Sequence, residues 1–165
     1  MTRTLCQLSA CILIALSVLL PPALPEVRAQ TARPLLVIIS SATGLTDISS
    51  ALLRRTFQGY PAEYHPGKRL IPINLPTDAP ERRRFDLAVL GLTAAEVGRF
   101  WVDQRIRGSS QPPRTVPSAE LAVRVALSFP GAITYTTHEL VKPGLNVLTI
   151  DGKAVSDPRF MLAGR

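Results

Sequence analysis

The sequence predicts a single α/β domain, a small mixed sheet flanked by helices in two or three layers. Leu35-Leu36-Val37-Ile38-Ile39 is a continuous apolar run rich in β-branched residues, the pattern of a strand buried on both faces. Two helix-start signatures, Asp78-Ala79-Pro80-Glu81 and Thr93-Ala94-Ala95-Glu96, set an oxygen-bearing side chain three residues before a glutamate. Strand-like and helix-like segments alternate from there to the end of the chain. With 46% apolar and 19% charged residues, 15 Pro and 10 Gly in 165 positions, the chain is neither disordered, collagen-like nor coiled coil.

The first residues stand apart from this domain. Met1 to Arg3 supply a small positive region, Leu5 to Leu20 a nearly unbroken apolar run, and Pro21, Pro22 and Pro25 end it. Val27-Arg28-Ala29 then places compact residues at minus three and minus one before Gln30, the layout of a secretory signal. We expect a signal peptide over residues 1–29, a domain over residues 30–165, and a periplasmic or secreted protein with no membrane span after cleavage. Both cysteines, Cys6 and Cys11, lie in this leader, so a disulfide scaffold or thiolate metal site is excluded from the remainder. The full chain carries a formal charge of +7, and removing Arg3, Glu26 and Arg28 leaves 17 basic and 11 acidic residues. A basic exported protein meets anions such as phosphate, other oxyanions, acidic lipid headgroups or polysaccharide. Nucleic acid is not an expected partner, because no basic stripe is interleaved with aromatic residues that would stack bases.

After the buried strand, Ser40 to Gly44 form a polar loop. Ile48, Leu52, Leu53 and Phe57 then recur at helical spacing, with Thr46 or Asp47 as the expected N-cap and Gly59 as the stop. Pro66-Gly67 marks a turn before a strand at Leu70 to Leu75, whose internal Pro72 lacks a donor and favours an edge or a bulge. The Asp78–Glu81 box opens a helix with Phe85, Ala88 and Val89 on its apolar stripe and Gly91 at its end. The Thr93–Glu96 box opens another carrying Val97, Phe100 and Trp101, and the two form a helical hairpin. Ser109 to Pro117 is a proline-rich connection. Leu121, Val125 and Phe129 line a further helix that Pro130-Gly131 terminates, and a strand begins at Ala132. Asn146 to Ile150 reads as a last strand, with Asp151-Gly152 as a hairpin turn into a short return.

A catalytic constellation is not found, and the expectation is a protein that is not an enzyme. His138-Glu139-Leu140-Val141-Lys142 starts like a zinc-protease helix, but Lys142 stands where the second histidine belongs, so no metal site is expected. There is no Gly-x-Ser-x-Gly elbow, P-loop or dinucleotide glycine pattern, and no cofactor is expected. Binding has better support, because ligands collect at the carboxyl ends of strands in open α/β sheets and helix N-termini offer free N–H groups to anions. Three polar loops follow strands here, and from them come the expected ligand-binding residues Ser40, Ser41, Thr77, Asp78, Ala79 and Thr136, with Arg82 one turn into the second helix. Ser, Thr and Asp also serve as ordinary caps. Arg82, Arg83 and Arg84 fan out by about 100° each, so at most two of them face one ligand.

The order of landmarks resembles the phosphate-type substrate-binding proteins of ABC importers, and more closely their short, single-lobe relatives. It runs through Phe57-Gln58-Gly59, the Pro-Gly turn, Ile71-Pro72-Ile73, Arg82 to Phe85, Phe100-Trp101, Pro112-Pro113 and Pro130-Gly131-Ala132-Ile133-Thr134-Tyr135, covering roughly Leu35 to Leu148. The resemblance implies one lobe of a two-lobed periplasmic binding protein, holding phosphate or a similar oxyanion at the strand-to-helix loop. It implies a transporter or porin component as protein partner. The family's Ser-Gly-Thr cradle is altered to Asn74 to Ala79, with Thr77 keeping a hydroxyl, Ala79 a small residue and Asp78 adding negative charge, while Thr134 replaces a family glycine. Two functions follow from this pattern: an exported solute-binding-like protein, or a non-enzymatic extracytoplasmic interaction domain that kept the fold and lost its ligand.

Overall fold

The computed structural model describes residues 35–163; the expected signal peptide over residues 1–29 lies outside them. The chain runs through β1 (Leu36–Ser40), β2 (Asp47–Ile48), α1 (Ser50–Phe57), β3 (Glu63–His65), β4 (Lys68–Arg69), β5 (Ile71–Asn74) and α2 (Pro80–Phe85), which continues as a π-turn over Asp86–Leu90. It then forms α3 (Ala94–Ile106), β6 (Arg114–Thr115), α4 (Ala119–Ser128), β7 (Ala132–Thr137), a 3-10 turn (His138–Leu140), β8 (Asn146–Val147) and β9 (Thr149–Ile150). Five strands form one mixed sheet in the order β6-β5-β7-β1-β8. β5 runs parallel to both β6 and β7, while β1 is antiparallel to β7 and β8. The expected small mixed sheet flanked by helices is therefore present.

β1 is the centre of the core, all five of its residues being buried, as its apolar run requires. The connection from β5 to β6 and the connection from β6 to β7 move sideways in opposite directions. Right-handed crossovers therefore place α2 and α4 on opposite faces of the sheet. On the face beneath α1 and α2, Phe57, Phe85 and Tyr135 form an aromatic cluster, with Phe85 and Tyr135 stacked at 4.0 Å between ring centroids. On the other face α4 buries Ala122, Val123 and Ala126. Leu121 and Val125 are only partly buried and Phe129 is exposed, so the expected stripe is displaced. The small alanines let the helix lie close to the sheet, and the larger side chains flank it.

Several boundaries move for identifiable reasons. Helix α1 is capped by Ser49, whose side chain accepts from the Leu52 N–H, and not by Thr46 or Asp47. Asp47 and Ile48 are extended because they pair in parallel with Thr149 and Ile150, and Asp47 accepts from the Thr149 hydroxyl and the Gly152 N–H. Pro72 lies in an interior strand rather than at an edge. The Ile71 N–H donates to Gly131, so by alternation the Pro72 nitrogen faces the β6 side, and β6 begins only alongside Ile73. The expected Pro-Gly and Asp-Gly turns form, with positive φ at Gly67, Asp151 and Gly152. The Thr93 capping box is complete in both directions, yet the helix it opens buries only Val97, with Phe100 and Trp101 half-buried. Among the described residues no helix is long and apolar enough to cross a membrane.

Candidate functional site: the crevice after β5 and β6

Because the crossovers leaving β5 and β6 turn opposite ways, the crevice outside the carboxyl ends of these two strands is the topological switch point of the sheet, where ligands of open α/β folds bind. A cleft of about 430 Å³ lies there, walled by Leu75, Pro76 and Asp78 to Glu81 after β5 and by Pro117 to Glu120 after β6. The N-termini of α2 and α4 both open onto it. Of the expected ligand-binding residues, Asp78 and Ala79 line this cleft. Thr77 and Asp78 line a neighbouring groove completed by Arg83, Ala94, Val97, Gly98 and Trp101.

Ser40 and Ser41 do not join them. Since β1 runs against β7, Ser40 stands opposite Ile133 at the start of β7, whereas Thr136 stands opposite Val37 at the other end. Three residues of strand, about 10 Å, separate these positions. The serines instead tie the chain to itself, Ser40 Oγ donating to the Ala132 carbonyl at 2.7 Å and Ser41 Oγ to the Phe129 carbonyl at 3.1 Å. Thr136 is at the correct edge but fully buried, its hydroxyl without a hydrogen-bond partner among the described residues.

The loop's chemistry also departs from the sequence reading. Helix α2 starts at Pro80 with Ala79 as N-cap and no side-chain cap bond, so the expected Asp78–Glu81 box does not form. The reason is local. The Ala79 N–H closes a turn onto the Pro76 carbonyl, which ends the loop one residue later than the box requires. Asp78 is left exposed. Arg82 points inward and is 4% exposed, its Nε donating to Asp86 Oδ2 at 2.6 Å and its Nη1 to the Leu75 carbonyl at 3.0 Å. Burial pushes the Asp86 carboxyl above its ordinary range, and the Arg82 guanidinium pulls against that shift. Beside this pair, Tyr135 donates to Asn74 Oδ1 at 2.5 Å and accepts from the Leu75 N–H. Burial raises the Tyr135 phenol well above its ordinary value. Asn74, Tyr135, Arg82 and Asp86 thus form a buried polar floor under the loop. Arg83, not Arg82, reaches the loop from outside, donating from Nη2 to the Asp78 carbonyl at 2.8 Å.

The electrostatics of the cleft are mixed. The N–H groups of Glu81 and Arg82 lie in the first turn of α2, where no intrahelical acceptor exists, and they favour an anion. Asp78, Glu81 and Glu120 line the same cleft and oppose one. Glu120 is held below the usual carboxylate range by its own backbone N–H and by the Ser118 hydroxyl, so the chain supplies its own anion to α4. The wall formed by Pro117 to Glu120 escaped the sequence reading because the strand before it is two residues long and sits inside a proline-rich connection. Ser118, the N-cap of α4, was the one signal available.

No family model and no curated protein sequence matches this chain. Solved structures do. An ABC-type phosphate transport receptor from Vibrio cholerae aligns with a TM-score of 0.58 at 15% identity, over 81% of this chain and 55% of that one. A protein of Clostridium perfringens described as a phosphate ABC transporter substrate-binding protein, with phosphate bound, gives 0.57 at 14% identity, over 74% and 47%. PstS from Borrelia burgdorferi gives 0.56 at 16% identity, over 73% and 49%. The chain therefore has the fold of one lobe of a periplasmic binding protein, and it spans about half the length of these structures.

Proposed function

We propose that this chain is an exported, single-lobe solute-binding module for phosphate or a similar oxyanion, acting beside a transporter or porin component. The observation that carries the reading is the cleft at the switch point, onto which the N-termini of α2 and α4 converge. An oxyanion there meets the first-turn N–H groups of Glu81 and Arg82, and Arg83 reaches the loop from the neighbouring groove through the Asp78 carbonyl. Arg82 acts from beneath as a positioning residue, because its bond to the Leu75 carbonyl fixes the loop's first peptide. The acidic lining favours a protonated oxyanion, whose hydroxyl donates to a carboxylate such as Asp78, over one that offers no proton.

The three carboxylates of the cleft favour a second reading, an extracytoplasmic interaction domain that kept the fold and lost the ligand. Calorimetric titration with inorganic phosphate at low ionic strength separates the two. The binding reading expects saturable uptake. Asp78→Asn should bind roughly fivefold more tightly, since it removes a like charge worth about 1 kcal/mol at the surface while its amide oxygen still accepts from the oxyanion hydroxyl, and Arg83→Ala should bind more weakly. Absence of saturable binding in both the unaltered protein and Asp78→Asn leaves the interaction domain as the better account.

A further inference from the structure

Helix α3 is the element least accounted for by the fold. It is thirteen residues long and buries only Val97, while Val102 is 54% and Ile106 79% exposed. At 100° per residue, Ala95, Arg99, Val102 and Ile106 fall on one strip opposite Val97. Arg99, Arg105 and Arg107 are all exposed along the same helix and its C-cap, against a single exposed carboxylate, Asp103, outside the capping box. An exposed branched apolar pair four residues apart, with arginines beside it, joins a small apolar contact to cations that suit anionic headgroups.

We propose that the outward strip of α3 is a membrane-surface contact that takes anionic phospholipid headgroups, with Val102 and Ile106 entering the headgroup boundary and Arg99 and Arg105 pairing with phosphates. Charge complementarity selects this occupant: Arg99, Arg105 and Arg107 stand along α3 against Asp103, and the guanidinium fork matches two phosphate oxygens at once. The size of the patch points the same way. A stable protein interface needs about 800 Å² from each partner, far more than two branched side chains supply, whereas a peripheral helix needs only shallow insertion and a few cations. A single-stranded nucleic acid is held on aromatic platforms, and Val102 and Ile106 offer none. The contact is independent of the oxyanion cleft and would hold the module at a bilayer without spanning it.

Co-sedimentation of the protein with vesicles of phosphatidylcholine alone, and of equal parts phosphatidylcholine and phosphatidylglycerol, tests this. Binding is expected to the mixed vesicles only. Val102→Ser with Ile106→Ser, and separately Arg99→Gln with Arg105→Gln, should each lower the bound fraction roughly tenfold. Lys68→Gln with Arg69→Gln, on the separate β3–β4 hairpin, should leave it unchanged. All these positions are exposed, so thermal melting should match the unaltered protein and confirm that folding is intact. Failure to bind mixed vesicles overturns the proposal. So does an equal loss in the Lys68/Arg69 pair, which means diffuse charge. A dimer in sedimentation that Val102→Ser with Ile106→Ser dissociates also overturns it, because a second copy then covers the strip.

Discussion

Replacing Arg82 with methionine keeps the length of the side chain and removes its charge. In the folded protein this leaves Asp86, 3% exposed, without the guanidinium 2.6 Å from its Oδ2 and leaves the Leu75 carbonyl without its donor. Removing one partner of a buried ion pair costs about 3–5 kcal/mol, against a total stability of about 5–15 kcal/mol for a domain. At roughly 3–4 °C per kcal/mol for a domain of this size, the melting temperature should fall by about 10–20 °C. The pH dependence gives a second readout with a definite sign. The folded pKa of Asp86 is raised, so the native state holds this proton more tightly than the unfolded chain, and the associated stability is present at low pH and lost as pH rises through the folded value. Without Arg82 that value rises further, so the deficit of Arg82→Met relative to the unaltered protein should shrink on moving from neutral to acidic pH. Restoring an apolar pair with Arg82→Met and Asp86→Leu should recover most of the loss at neutral pH. Melting followed by circular dichroism at two pH values decides it. An unchanged melting temperature in Arg82→Met would refute the buried floor and return Arg82 to the ligand.

Three further outcomes follow from the same structure. Thr93→Ala should cost about 1 kcal/mol by removing a formed cap, while Asp78→Ala should shift chemical denaturation by less than about 0.5 kcal/mol, because Ala79 is the N-cap of α2. Gly131→Ala should cost about 2 kcal/mol or more, since φ is +84° and a Cβ would sit 2.5 Å from the Arg69 carbonyl oxygen; wild-type stability in this variant would mean the turn into β7 is misplaced. Mass spectrometry of the protein exported from a producing cell should show an N-terminus at Gln30, and retention of Met1 would contradict the expected signal.

Most of what is legible in the sequence is decided by one segment alone, the Asp78–Glu81 box being the exception because the Ala79 turn onto Pro76 displaces it. The β-branched run of β1, the Thr93 box and the Pro-Gly and Asp-Gly turns all specify their own backbone and appear as expected. What was not legible depends on pairing. Asp47 looks like a cap until Thr149 and Gly152 claim its carboxylate, and Pro72 looks like an edge residue until β6 proves too short to reach it. The site suffered most from this. In the sequence Ser40, Ser41 and Thr136 group with the β5–α2 loop because all three loops follow strands, and only the antiparallel pairing of β1 with β7 sends the serines to the far edge. Arg82 and Arg83 are adjacent in sequence and opposite in role because 100° of helix turns one toward Asp86 and the other toward Asp78.

The central claim is that the crevice between β5 and β6 holds an oxyanion. A heteronuclear NMR titration of the protein with inorganic phosphate tests it most directly. Saturable shifts centred on the amides of Asp78, Ala79, Glu81 and Arg82 are expected, with weak or absent shifts at Ser40 and Ser41. Shifts spread evenly over the arginine-bearing surface, or none at the β5–α2 loop, would contradict it.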